Sequence, residues 1–125
     1  MEITDPNLPQ PPTELQQQIL RLCIDACHAC ARVCNHCAAS CLQEQDVKMM
    51  ARCIALDVDC AAVCALTAGV LARQSEQAMA VCRLCAQMCR ACGAECSQHT
   101  MAHCQECAEA CMQCAAQCDK LLAME

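Results

Sequence analysis

The chain has 125 residues, enough for one domain, and a formal net charge of −6 with a pI near 5.1; its few Lys and Arg are scattered, which excludes the basic footprint of a nucleic-acid binder. Apolar residues make up 57%, yet nineteen of the 125 residues are cysteine and there is no Phe, Trp or Tyr, so the side chains that fill ordinary cores are missing. The N-terminal stretch MEITDPNLPQPPTEL has no basic segment followed by an apolar one, and no uninterrupted apolar run is expected to span a bilayer, so a cytoplasmic protein with reduced thiols is expected.

Residues 1–12, with prolines from Pro6 to Pro12, are expected to form an extended arm, leaving 13–125 as the folded domain. Thr13 followed by Gln16 is a capping-box pattern that starts a first helix reaching about Gln43. That helix carries Cys23, Cys27, Cys30, Cys34, Cys37 and Cys41 at alternating intervals of four and three. Asp46 is expected to cap a second helix through Leu71, with Cys53, Cys60 and Cys64. Ser75 is expected to cap a third from Glu76 to about Gln98, with Cys82, Cys85, Cys89, Cys92 and Cys96. Thr100 is expected to cap a fourth to about Ala123, with Cys104, Cys107, Cys111, Cys114 and Cys118.

Intervals of three and four mark the stripe of a helix that faces a bundle axis, so the thiols point inward together. Four such helices with short connections predict an all-α fold, an antiparallel up-down-up-down four-helix bundle with a cysteine-lined core. Alanines and valines beside the seams suit close packing and subunit contacts. On the second helix the same rhythm puts Asp57 on the seam, between Met50 on one side and Thr67 and Leu71 on the other. Asp57 is either an oxygen ligand or hydrogen-bond acceptor inside the bundle, or a bend turns it to the surface.

Such a cysteine density points to disulfides or to metal. Nineteen is odd, and helical neighbours three or four apart hold their Cβ atoms about 5–6 Å apart, beyond the roughly 3.5–4.5 Å of a disulfide. Thiolates are the metal ligands, and burying them uncompensated is prohibitive, so a soft monovalent ion at about one per thiolate leaves a neutral interior. Zinc in a tetrathiolate site leaves two negative charges per ion. Cu(I), many ions per chain, is the expected cargo. Each of the eight CxxxC pairs can bind it within one helix, because two bonds of about 2.3 Å span about 4.6 Å.

The alternating helix directions set two different ends. One gathers Cys41, Met49, Met50, His99, Met101 and His103; the other gathers Leu20, Leu22, Val70, Leu71, Met79, Leu121 and Leu122. The first reads as a port where imidazole and thioether hand the ion to thiolates, against the plainer reading of its histidines as part of a solvated turn. The metal-ligand set expected is thus the nineteen cysteines with His99, His103, Met101 and Asp57. His28, His36, Met88 and Met112 fall off the seams.

The segments CHACARVCNHCAASC and CRLCAQMCRACGAECSQHTMAHCQECAEACMQCAAQC resemble the bacterial copper storage proteins, four-helix bundles filled with Cu(I), over about Thr13 to Leu122. His99-x-x-x-His103-Cys104 looks like that family's histidine-bearing open end. The resemblance implies the cytosolic branch, a homotetramer, and storage or sequestration of copper. A zinc or general heavy-metal buffer is the alternative. An iron–sulfur carrier fits less well, because continuous helices do not wrap four thiolates around one centre and no Cys-Pro follows any run. No nucleophile–base pair suggests an enzyme.

Overall fold

The computed structural model describes residues 11–125, so the arm expected over 1–12 lies almost wholly outside the described residues. Four helices account for the rest: α1 (Glu14–Cys41), α2 (Ala51–Ala72), α3 (Ala78–Cys96) and α4 (Ala102–Leu122), with a 3₁₀ turn at Val47–Met50 before α2. Each helix packs on two neighbours in the cyclic order α1, α2, α3, α4. Cys23 near the start of α1 meets Cys118 near the end of α4, while Cys41 at the end of α1 meets Cys104 at the start of α4. Cys53 of α2 likewise meets Cys96 of α3. The neighbours therefore run antiparallel.

The seams define what is buried. All nineteen cysteines have no exposed surface, and Ala38, Ala61, Ala68, Ala86, Ala108 and Ala115 beside them are buried too. Small flanking residues let the helices approach closely. At Gly93 a Cβ would stand 3.2 Å from the Cys111 Cβ and 3.1 Å from the Met112 sulfur, so α3 and α4 touch there through a missing side chain. One end is closed by Leu71 and Leu121, with Leu20, Met79 and Leu122 packed against them. Leu22, expected in this plug, instead faces outward, because the buried stripe of α1 begins at Cys23 and its neighbour in sequence lies on another face.

The helix starts separate into one that follows its sequence signal and three that do not. Thr13 and Gln16 form the capping box, with Thr13 Oγ1 accepting from the Gln16 amide at 3.1 Å and Gln16 Oε1 from the Thr13 amide at 2.8 Å. Asp46 leads into the 3₁₀ turn without a side-chain cap, the Ser75 hydroxyl accepts from the Gln77 amide in the turn before α3, and α4 starts after Met101 rather than Thr100. These connections pack into the ends of the bundle, and that packing overrides local capping preference. The C-terminus of α2 turns on Gln74 at φ 51°, with Ser75 N–H bonded to Val70 C=O and Gln74 N–H to Leu71 C=O, a Schellman ending.

α2 differs from the other helices in its outer face. The span Val47–Ala72 holds an 18-residue window of mean hydropathy 1.9, long and apolar enough by composition to cross a bilayer, contrary to the expectation from the sequence. Cysteine, alanine, valine and leucine all raise that average. In the bundle the stripe of this helix from Met50 through Cys53, Asp57, Cys60, Cys64 and Thr67 to Leu71 is turned into the interior, and Val58 and Leu66 face outward.

Candidate metal centre

The thiols form one continuous column. Near the plug, Cys23 and Cys118 lie 3.8 Å apart and Cys27 and Cys114 3.7 Å. At mid-height Cys64 lies 3.8 Å from Cys85 and 3.7 Å from Cys89, and Cys30 is 3.8 Å from Cys111. Towards the other end Cys107 lies 3.6 Å from Cys34, Cys41 3.8 Å from Cys104 and Cys53 3.4 Å from Cys96. Because these side chains are short, helices on opposite corners touch as well. Cys30 of α1 is 4.0 Å from Cys89 of α3, and Cys107 of α4 reaches Asp57 of α2 at 3.1 Å.

All nineteen cysteines are free, at sulfur separations well beyond the about 2.05 Å of a disulfide. Three thiolates around one ion at about 2.3 Å stand about 4.0 Å apart, and four stand about 3.8 Å apart. The column already holds those spacings. Within one helix four of the eight i,i+4 pairs, Cys30/Cys34, Cys37/Cys41, Cys60/Cys64 and Cys92/Cys96, sit at 3.8–3.9 Å, shorter than the linear unit of about 4.6 Å, so at these a third thiolate from a neighbouring helix fits the resting geometry better than a two-ligand site on one helix.

Several sets of four thiols have all their sulfurs within 4.8 Å of one another. Four of these sets share no member: Cys27 with Cys85, Cys114 and Cys118; Cys30 with Cys60, Cys64 and Cys89; Cys34 with Cys92, Cys107 and Cys111; Cys37 with Cys41, Cys53 and Cys104. A fifth, Cys30 with Cys34, Cys60 and Cys111, bridges the second and third. The ligands are therefore shared along the axis rather than divided into closed compartments.

Asp57 is inside, with no exposed surface, which settles its position against the surface alternative. Its Oδ1 accepts from Cys107 at 3.1 Å, Cys92 at 3.2 Å and Cys96 at 3.4 Å, and Oδ2 from Cys53 at 3.8 Å. Burial pushes its carboxyl up to about 6. Burial likewise raises Cys53 and pushes the Cys104 thiol up to about 11. Cys34, Cys89 and Cys111 are held above the ordinary thiol range, first by hydrogen bonds to neighbouring sulfurs and then by burial. Their neighbours Cys60, Cys107 and Cys114 move down, because a thiolate there is surrounded by donors. Thr67, the other polar residue on this seam, turns its hydroxyl back to Val63 C=O at 2.7 Å.

The end opposite the plug carries the other sequence-predicted residues. Nδ1 of His103 faces three thiols, Cys37 at 3.6 Å, Cys41 at 3.8 Å and Cys104 at 3.6 Å, while its Nε2 bonds Glu44 Oε1 at 2.9 Å. His99 does something else: its Nε2 bonds Glu95 at 2.8 Å, and Glu95 also takes Arg52 Nε at 3.3 Å. His99, Met49, Met50 and Met101 line a cavity of about 300 Å³ together with Glu44, Gln45 and Asp46. Met50 is buried and Met49 is 68% exposed, so thioethers run from solvent into this cavity. His28, His36 and Met112 are exposed and Met88 lies between two helices, off the column as expected.

Glu44 was not among the sequence-predicted residues. The signal for it lies in the rhythm of α1: after Cys34, Cys37 and Cys41, the next step of three lands on residue 44, just past the helix end.

The family model described as copper storage protein matches residues 16–123. A cytosolic copper storage protein from Streptomyces lividans, solved during copper loading with five coppers, is 41% identical, with a TM-score of 0.86 over 89% of this chain and 98% of that one. The Cu(I)-bound copper storage protein BsCsp3 is 43% identical, with a TM-score of 0.80 over 84% of this chain and 99% of that one. An uncharacterized cysteine-rich protein of Bacillus subtilis, YhjQ, is 43% identical over 83 residues, covering 66% of this chain and 77% of its own. The match runs through all four helices and their thiol seams, and the chain belongs to the copper storage protein family.

Proposed function

We propose that the chain stores and sequesters Cu(I) in the cytosol, holding many ions on the thiolates of its nineteen cysteines and admitting them at the end that carries His99, Met101 and His103. The observation that carries this reading is the unbroken column of fully buried free thiols with shared ligand sets. Monovalent ions match its charge one to one, and each thiol that takes an ion releases a proton. Asp57 adds one oxygen ligand among Cys92, Cys96 and Cys107. His103, already against three thiols, passes the ion inward from the methionine- and His99-lined cavity. The cytosolic location rests on the Streptomyces relative described by that word. The role is binding rather than catalysis.

The homotetramer implied by the family resemblance is part of the same proposal. The outer face of α2, with Val58 and Leu66 half-exposed and no charged residue from 60 to 72, supplies an apolar surface for it.

A zinc buffer is the competing reading, since the four sets without a common thiol would suit four tetrahedral ions. Each filled set would keep two negative charges in the interior, which weighs against it. The two readings give different capacities. Titrating reduced protein with Cu(I) against a strong competing chelator is expected to show uptake of about one ion per thiol, close to the nineteen present. Saturation near four equivalents, one for each separate set, contradicts the proposal.

A further inference from the structure

The two histidines of the port are each held at Nε2 by a carboxylate, and His103 turns its other nitrogen to thiols. Glu95, tied across to Arg52 on α2, grips His99 four residues further on, just past the end of α3, and keeps its Nε2 turned to the rim. Glu44 grips the outer nitrogen of His103 and leaves the inner one facing sulfur. A carboxylate accepts and does not donate when ionised, so the Nε2 that meets it carries the proton, and in the neutral ring Nδ1 then holds a lone pair. That lone pair is aimed at Cys37, Cys41 and Cys104.

Glu44 is itself fixed. It sits three residues beyond Cys41 in the connection after α1, and its amide bonds the Cys41 carbonyl at 3.2 Å. Its side chain also lines the cavity of about 300 Å³ at the port, so it stands between that cavity and the imidazole.

We infer that Glu44 is the positioning residue of the port: by accepting a hydrogen bond from the Nε2–H of His103 it locks the ring in the tautomer and orientation that present Nδ1 to an arriving Cu(I) beside the first three thiols. The inference rests on the reading of this end as the place of uptake, and it adds the element that makes His103 a ready ligand rather than a rotating one. Carboxylate partners of this kind set ligand orientation and basicity at metal sites, and losing one typically weakens the site about 10- to 100-fold.

Two measurements on the full-length reduced protein separate the inference from the reading beneath it. The first needs no metal. In ¹⁵N-imidazole spectra of the apo protein, His103 is expected as the Nε2-protonated tautomer; Glu44→Ala is expected to mix the two tautomers, and Glu44→Gln, which keeps an acceptor oxygen, to retain the original one. An unchanged His103 pattern in Glu44→Ala overturns the assignment. The second follows uptake of the first Cu(I) equivalents from a chelator by stopped flow. Glu44→Ala is expected to slow it about tenfold, His103→Ala at least as much, and the double variant no more than His103→Ala alone, with the final capacity unchanged. Normal uptake in Glu44→Ala with slow uptake in His103→Ala refutes the role of Glu44 alone. Normal uptake in His103→Ala refutes the port on which it rests, and with it the inference.

Discussion

Reduced, metal-free protein is expected to lose its helices as the pH is raised from about 8.5 towards 10, and the Cu(I)-loaded protein is expected to keep them. The cause is the thiol column. Twelve of the nineteen thiols are held above the ordinary range, by bonds to other sulfurs and by burial. Below about 8.5 such a thiol keeps its proton whether the chain is folded or not, and stability is unaffected. Above it the unfolded chain gives the proton up and the folded chain does not, so each of these groups takes away about 1.4 kcal/mol per pH unit. Against a typical domain stability of about 5–15 kcal/mol, such groups together are enough to unfold the chain as the pH climbs through this range. In the loaded protein the metal has already displaced the thiol protons to solvent, and this dependence vanishes. Helicity at 222 nm, followed with pH under reductant, reads both outcomes; an apo protein that stays folded at pH 10 contradicts the placing of most of the thiols above the ordinary range.

Asp57→Asn is expected to stabilise the apo protein by about 3 kcal/mol at neutral pH and to leave it slightly affected at pH 4. The carboxyl is pushed up to about 6 by burial, against about 3.9 in an unfolded chain. Below about 4 both states are protonated. Between 4 and 6 the folded chain holds a proton that the unfolded chain has released, so folding stability falls as the pH rises, by about 1.4 kcal/mol for each unit of difference. Other carboxylates titrate over the same range, so the quantity to read is the difference between wild type and variant in urea midpoint at pH 4, 5, 6 and 7. A constant difference across that range removes the buried carboxylate as its source. A natural residue that lowers apo stability in this way fits a site kept for its ligand rather than for the fold.

The bundle and its column were legible because a three-four rhythm has one meaning on a helix: Cys82, Cys85, Cys89, Cys92 and Cys96 cannot avoid sharing a face. The same rhythm placed Asp57 on the buried stripe, and it extends to Met50, Leu71, His99 and Glu44 at the ends. What the rhythm could not tell was which way an end residue turns. His99 and His103 each stand a helical step from a seam cysteine, three residues after Cys96 and four before Cys107, and it is the carboxylates beside them, Glu95 for one and Glu44 for the other, that send one ring to the rim and the other to the thiols. The helix starts failed for a related reason. Thr13 caps at the exposed start of α1, whereas Asp46, Ser75 and Thr100 lie in connections whose shape is set by packing at the bundle ends.

A column of this kind also explains the missing aromatics. Phe or Trp would fill the axis and force the helices apart, while cysteine and alanine leave sulfurs 3.4–4.0 Å from one another across the α1–α4 and α2–α3 interfaces and between α1 and α3. The interior is stabilised twice, weakly by small side chains and strongly by the cargo that joins them.

Anomalous scattering at the copper edge from crystals of the loaded protein measures this most directly. Copper peaks strung along the bundle axis from the Cys23–Cys118 end to His103, each within bonding distance of cysteine sulfurs on two or more helices, are the predicted result; copper confined to the surface or to contacts between molecules, with the axial thiols unliganded, contradicts it.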